Sequence, residues 1–241
     1  VAKSRPAFRR VVLKISGEGL AGPDGFGIGS EALAHVAGEI QQVRQAGVQI
    51  AVVVGGGNLL RGDTFARQCG IPAGTAHYMG MLATVMNALA LQETLEVMHV
   101  PARVLSAIEI SAVGEFLTPR RCKRHLEDGR VAVLAAGTGR PFVTTDTAAA
   151  LAAVEINADA LFKATQVDGV YSADPRKNPN AEFYPKLGYD RVIDERLEVM
   201  DVSAVDLCQR GSVPIVVFNL HKPGNMKRII AGEAVGTVIA D

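Results

Sequence analysis

Val48-Gln49-Ile50-Ala51-Val52-Val53-Val54-Gly55-Gly56-Gly57-Asn58 is an apolar, β-branched run that stops abruptly at three glycines. A run of that kind has no polar face, so it predicts a strand buried on both sides. Residues 11–15 repeat the pattern, and 102–106, 130–136, 159–164, 214–218 and 235–240 read the same way. Between them lie helical patterns. Ser30 is a candidate N-cap for a helix reaching Gly47, with Leu33, Val36, Ala37, Ile40 and Val43 at helical spacing. Thr118-Pro119 opens a second helix that Gly129 closes, and residues 78–98, 144–156, 203–210 and 225–231 supply the others. Residues 165–189 read as irregular. Strands and helices in alternation predict an α/β fold: a three-layer α/β/α sandwich on a mostly parallel sheet. No repeat or linker interrupts residues 1–241, so a single domain is expected.

Composition narrows the function. Of 241 residues, 48% are hydrophobic and 21% charged, enough for a full core. Lys plus Arg equals Asp plus Glu at 25 each, which argues against a coat for nucleic acid or an anionic membrane. Aromatics are 5% with no tryptophan, a poor basis for stacking bases. Cys69, Cys122 and Cys208 are odd in number and far apart, as expected of reduced thiols in the cytoplasm and not of a metal site. Residues 1–8 are polar, without the apolar centre of a signal peptide. The longest apolar stretch, 78–91, is broken by Gly80, Thr84 and Asn87 and falls short of the ~20 residues of a membrane span. In that helix Leu82, Met86 and Leu89 form one stripe and Leu91, Leu95 and Met98 another. Two stripes predict burial in the core and against a second subunit, or simply a central core helix.

The chemistry gathers where strands run out, the edge at which such sheets bind ligands. Gly17-Glu18-Gly19-Leu20-Ala21-Gly22 formally matches GxGxxG, yet Gly22-Pro23-Asp24-Gly25-Phe26-Gly27 prolongs the loop where a dinucleotide fold starts its helix. No GxxxxGK[ST] exists. Lys14 and Lys163 instead end apolar strands, where an ammonium is costly unless an anion answers it. One such lysine reads as an amine snorkelling to water; two beside glycine loops point to phosphate. Gly55, Gly56 and Gly57 allow amides to approach an anion, and a helix start after them would add its dipole. Arg61 offers a guanidinium fork. Gly137-Thr138-Gly139 is a second approach loop, followed by Thr144, Thr145 and Asp146; either threonine also reads as a plain N-cap.

These segments together resemble the bacterial UMP kinases of the amino acid kinase superfamily. The likeness rests on Lys14-Ile15-Ser16-Gly17-Glu18, the GGGN of 55–58 with Arg61, the MGMLATVMN of 79–87, the TGRPF of 138–142 with Thr144-Thr145-Asp146, and the KATQVDGVY of 163–171 with Ala173-Asp174-Pro175. It spans residues 9–240. The resemblance implies the carbamate kinase-like fold, with phosphoacceptor bound by the part up to about residue 157 and ATP by 158–241. It implies that Lys14, Ile15, Ser16, Gly17, Gly57 and Arg61 meet the ATP phosphates, and that Thr165, Tyr171 and Asp174 surround adenine and ribose. For a transfer of this kind Lys14, Lys163 and Asp146 are the expected catalytic residues, the lysines bracketing the moving group and Asp146 orienting them. The resemblance assigns UMP to Gly56, Thr138, Gly139, Arg140, Pro141, Phe142, Val143, Thr144 and Thr145. Relatives commonly carry an acidic residue for the UMP ribose two positions before the MGML segment. His77 stands there, so it is either a hydroxyl ligand of different charge or a bystander at the helix end. Activation by GTP through Gly22, Pro23, Asp24, Gly25, Phe26 and Gly27, inhibition by UTP, a homohexamer and Mg²⁺ carried by ATP are further implications. The alternatives are a superfamily kinase acting on a carboxylate or carbamate, and a non-catalytic nucleotide or oxyanion binder.

Overall fold

The computed structural model describes residues 6–241, so the first five residues of the polar start lie outside the described part. The N-terminal half runs β1 (Arg10–Ile15), a 3-10 turn (Gly17–Leu20), α1 (Ser30–Gln45), β2 (Gln49–Val54), α2 (Gly62–Cys69), α3 (Ala73–Val97), β3 (Ala102–Ser106), β4 (Glu115–Phe116), α4 (Pro119–Glu127), β5 (Val131–Ala135) and α5 (Thr145–Glu155). Then follow β6 (Ala160–Thr165), β7 (Val170–Tyr171), β8 (Phe183–Tyr184), β9 (Lys186–Leu187), α6 (Tyr189–Asp194), α7 (Val202–Arg210), β10 (Ile215–Asn219), α8 (Asn225–Ile230) and β11 (Thr237–Ile239).

Nine strands form one sheet in the order β4-β3-β5-β2-β1-β6-β10-β11-β9. Every pairing is parallel except β10 with β11. β7 and β8 make a separate antiparallel ribbon. Alternation along β1 divides the core. Val11, Leu13 and Ile15 pack with Val36 and Ile40 of α1, Leu91 of α3 and Met226 of α8, whereas Val12 packs with Ala149 of α5 and Val205 of α7. Each fully buried Val, Leu or Ile contributes about 1.5–3 kcal/mol, which is why both faces of β1 are apolar.

The same alternation places the charges. Lys14 shares the face of Val12, and Lys163 shares that of Leu161, toward α5. In the β1–β6 ladder Lys14 is the direct partner of Lys163. Two lysines at matching positions of adjacent parallel strands must project side by side.

Several local expectations are corrected. Gly29, not Ser30, caps α1, and Ser30 is its first residue. The long helix starts at Ala73, five residues before Tyr78, because Pro72 fixes its entry. It buries Leu91 and Leu95, but Leu82 and Met86 remain 47% and 55% exposed, so only one of its two apolar stripes is covered. The stretch 165–189, expected to be irregular, contains β7, β8 and β9. Lys163 is not the last residue of its strand, since β6 runs on to Thr165. No helix starts directly after the GGGN loop: α2 begins at Gly62.

Candidate active site

Lys14 Nζ lies 2.7 Å from Asp146 Oδ1, and Lys163 Nζ lies 2.6 Å from the same oxygen and 2.7 Å from Oδ2. Asp146 reaches them from the first turn of α5, where Thr144 caps the helix by accepting the Asp146 and Thr147 amides at 3.2 and 3.3 Å. Burial pushes the Asp146 pKa up, but Lys14 and then Lys163 outweigh this by charge and hydrogen bonding and hold it below the usual carboxylate range. Lys163 is lowered to about 8, first by burial and then by Lys14, with Asp146 opposing both. Two cations share one anion here. The cluster carries a net positive charge in a nearly dry place, which a phosphate would neutralise.

Glycine turns close around this cluster. A Cβ on Gly17 would stand 2.5 Å from the Gly57 nitrogen, and one on Gly55 would stand 2.7 Å from the Gly17 nitrogen. These two glycines let the turns after β1 and β2 touch backbone to backbone. Gly56 lies against α3, its hypothetical Cβ 2.7 Å from the Gly80 carbonyl. Only Gly57 faces open space, with Arg61 the nearest neighbour at 3.8 Å. The guanidinium of Arg61 pairs with Glu18 across the turn instead of joining the lysine pair.

Behind the turns, Asn58 and Asn87 form a buried amide pair. Asn87 Nδ2 donates to Gly55 O and to Asn58 Oδ1, both at 2.7 Å. Asn58 Nδ2 donates to Gly27 O at 2.7 Å, and Gly27 N donates to Asn58 O at 3.0 Å. The loop 22–27 is thereby tied to the glycine turn and to α3.

Two cavities are lined in part by residues close in sequence to the lysine cluster. One, of about 420 Å³, is lined by Thr165, Tyr171, Asp174, Arg176 and residues 195–199. Thr165 follows Lys163 by two residues. Its hydroxyl donates to Val167 O at 2.7 Å, bending the chain away from β6. The hydrogen bonds from the Arg176 side chain, then from its amide, hold the Asp174 carboxyl below its usual range.

The other cavity, of about 360 Å³, is lined by Gly56, Gly57, Asp63, His77, Thr84, Thr138, Arg140, Phe142, Val143, Thr144 and Thr145 among others. Thr145, in this lining, directly precedes Asp146 in the chain. Thr138 Oγ1 is buried without a hydrogen-bond partner. A polar atom left so is costly unless a ligand completes it. Of the residues expected around the acceptor, Gly139 and Pro141 are absent from the lining. Gly139 instead forms the turn, at φ +72° and with a hypothetical Cβ 2.7 Å from the Ala107 carbonyl. Thr144 faces the cavity, but its hydroxyl is committed to its own helix and to Asp201. His77 accepts the Phe142 N–H on Nδ1 at 2.9 Å and meets Asp63 Oδ1 through Nε2 at 2.7 Å. Sequence reasoning missed Asp63, Thr84 and Arg176; an exposed first-turn Asp and a helix Thr give no spacing signal.

The profile of the amino acid kinase family matches residues 9–219. The chain belongs to the amino acid kinase family. Within that family it is 51% identical over 236 residues to the uridylate kinase of Methylococcus capsulatus, covering 98% of each chain. It is 52% identical over 237 residues to that of Zymomonas mobilis, again covering 98% of both. Among solved structures, the UMP kinase of Bacillus anthracis superposes with a TM-score of 0.94 at 39% identity, covering 97% of this chain and 96% of the other. The chain therefore has the amino acid kinase fold expected of it, in its uridylate kinase branch. No helix among the described residues is long and apolar enough to cross a membrane.

Proposed function

We propose that this chain is a uridylate kinase, moving the γ-phosphoryl group of ATP onto UMP to give UDP and ADP, reversibly, within pyrimidine nucleotide biosynthesis. The observation that carries this reading is the convergence of Lys14 and Lys163 on the single carboxylate of Asp146, with Thr145 lining one cavity and Thr165, two residues after Lys163, lining the other. UMP fits the cavity lined by Thr138 and Thr145, and ATP fits the one lined by Tyr171 and Asp174. That assignment gives the acceptor to the part up to about residue 157 and ATP mostly to the rest.

The acceptor oxygen is already ionised near neutral pH, because a phosphate monoester has its second pKa near ~6. It needs no general base. The protein's task is to align the attack and hold the charge that moves toward the leaving oxygen. Lys14 and Lys163 bracket the transferring group, and Asp146 keeps both amines aimed. A pre-aimed ammonium in a dry site acts most strongly as charge develops. Gly57 and Gly17 present amides to the ATP phosphates, and Arg61, released from Glu18, adds its fork. Mg²⁺ enters this reading as an ion carried on ATP, where oxygen ligands of the phosphates suit it. When bound there it neutralises charge on the phosphate oxygens.

The finer readings have narrower support. GTP activation through 22–27 is supported by the tether from Gly27 to Asn58. UTP inhibition is supported by the uracil it shares with UMP. A homohexamer is supported by the uncovered Leu82 and Met86 on α3. A cytoplasmic setting is supported by three free thiols.

An ADP-release assay across UMP, CMP, AMP, acetylglutamate and aspartate, with a GTP titration, tests the reading. Turnover with UMP is expected. Turnover only with acetylglutamate or aspartate, or with no acceptor at all, would sink it.

A further inference from the structure

Gly62 brings the start of α2 against α3 so closely that a Cβ on it would lie 2.8 Å from the His77 ring. This approach sets Asp63 beside His77 in the wall of the cavity assigned to the acceptor. An amide can only donate, so the Phe142 N–H makes His77 Nδ1 the acceptor and leaves Nε2 as the N–H that points to Asp63. Phe142 holds its amide there at φ +65°, a left-handed conformation unfavourable for a non-glycine residue. Its ring also packs edge-on against the imidazole at 4.6 Å. Both ring nitrogens are thus engaged, and His77 has no lone pair or proton left for a ligand.

Asp63 differs. Its Oδ1 takes the His77 proton, whereas Oδ2 makes no hydrogen bond among the described residues and the side chain is 72% exposed. It is also the only carboxylate in the lining of that cavity. The one fully cationic neighbour there, Arg140, can only donate. A nucleoside monophosphate presents two adjacent sugar hydroxyls that need acceptors. Carboxylate oxygens accept such bonds with charge assistance, the stronger class.

We propose that Asp63 is the sugar-recognising residue of the acceptor cavity, accepting the vicinal ribose hydroxyls, and that His77 is the positioning residue that aims it. This rests on the reading of that cavity as the UMP site. The competing account makes Asp63 an ordinary first-turn acid on α2, favoured by the helix dipole. That account predicts an effect on stability and none on sugar discrimination.

The test compares kcat/KM for UMP and 2′,3′-dideoxyUMP in the wild type, Asp63→Ala, His77→Ala and His77→Gln. The wild type should prefer UMP by ~10-fold or more, the worth of a charge-assisted hydrogen bond. Asp63→Ala should abolish that preference through KM, bringing UMP down to the dideoxy substrate, with an unchanged circular dichroism spectrum certifying the fold. His77→Ala should raise KM for UMP, and His77→Gln, whose amide can donate to Asp63, should restore part of it. A preference retained in Asp63→Ala, or absent from the wild type, overturns the sugar assignment while UMP kinase activity stands. Wild-type KM in His77→Ala overturns the positioning role. If the wild type turned over no UMP, the functional reading would fail first and this one with it.

Discussion

Replacing Asp146 by Asn keeps the size of the side chain and deletes one charge from the centre of the site. Lys14 and Lys163 reach the same Asp146 oxygen at 2.7 and 2.6 Å. Their amines therefore stand no more than ~5 Å apart, and at an effective dielectric of ~20 they repel by about 3 kcal/mol. That repulsion is already part of the Lys163 value; what Asn removes is the opposing attraction of a carboxylate oxygen 2.6 Å away, worth at least as much at the same dielectric, or roughly two pK units. Lys163, held at about 8 with the carboxylate present, is then expected near ~6. An amine is charged below its pKa. At neutral pH the wild type keeps the Lys163 ammonium and the variant has lost most of it. The assay is kcat/KM for ATP against pH at saturating UMP. The alkaline limb should begin near 8 in the wild type, following Lys163, and near ~6 in the variant. The acid limb follows the acceptor phosphate at ~6, so the variant keeps only a narrow optimum. At pH 7 its kcat/KM should fall by about tenfold or more. An alkaline limb left where the wild type has it, with activity lowered equally at every pH, would refute the coupled-cation account.

Three other outcomes are expected. Glu39, buried in α1, accepts the Gly224 amide at 2.7 Å and the Met226 amide at 3.4 Å, capping α8 from outside; Glu39→Ala should cost about 1–2 kcal/mol and lower Tm by a few degrees, and an unchanged melting curve would contradict it. Asn87→Ala removes the bonds to Gly55 and Asn58; a loss of about 1–3 kcal/mol and faster proteolysis within residues 22–29 are predicted, and a loop no more cleavable than before would disprove the tether. Burial pushes the Cys122 and Cys208 thiols up to about 12, whereas Cys69 is exposed; a thiol-titrating disulfide reagent should therefore modify one cysteine per folded chain, and rapid modification of more would show the two buried thiols to be accessible.

The interior of the fold was legible because β1, β2, β5 and β6 are apolar on both faces, a pattern with one physical reading. What escaped was short or polar. β4, β7, β8 and β9 are two residues each, too short for alternation to show. α2 buries only Ala66, so it has no apolar stripe to reveal it. The lysines stood out because an ammonium beside Val12 and Leu13, or beside Leu161 and Phe162, contradicts its surroundings. That they meet at Asp146 depends on strand pairing, which no single segment contains. The acceptor loop was legible as TGRPF, but which of its residues face the cavity was not. Gly139 is spent on a turn and Thr144 on a cap. Asp63 and His77 come from different helices, so their pairing left no trace in local spacing.

The pairing of Lys14 with Lys163 also limits how this chain can vary. Exchanging one aliphatic residue for another within β1 alters packing by degrees. Deleting a single residue from its amino-terminal half would turn the Lys14 amine to the opposite side of the sheet and set Ile15 beside Lys163. Apolar side chains point both ways from this strand, so the fold would scarcely notice; the proposed phosphate site would lose half its charge. The inner strands should therefore accept many changes of identity and almost none of length.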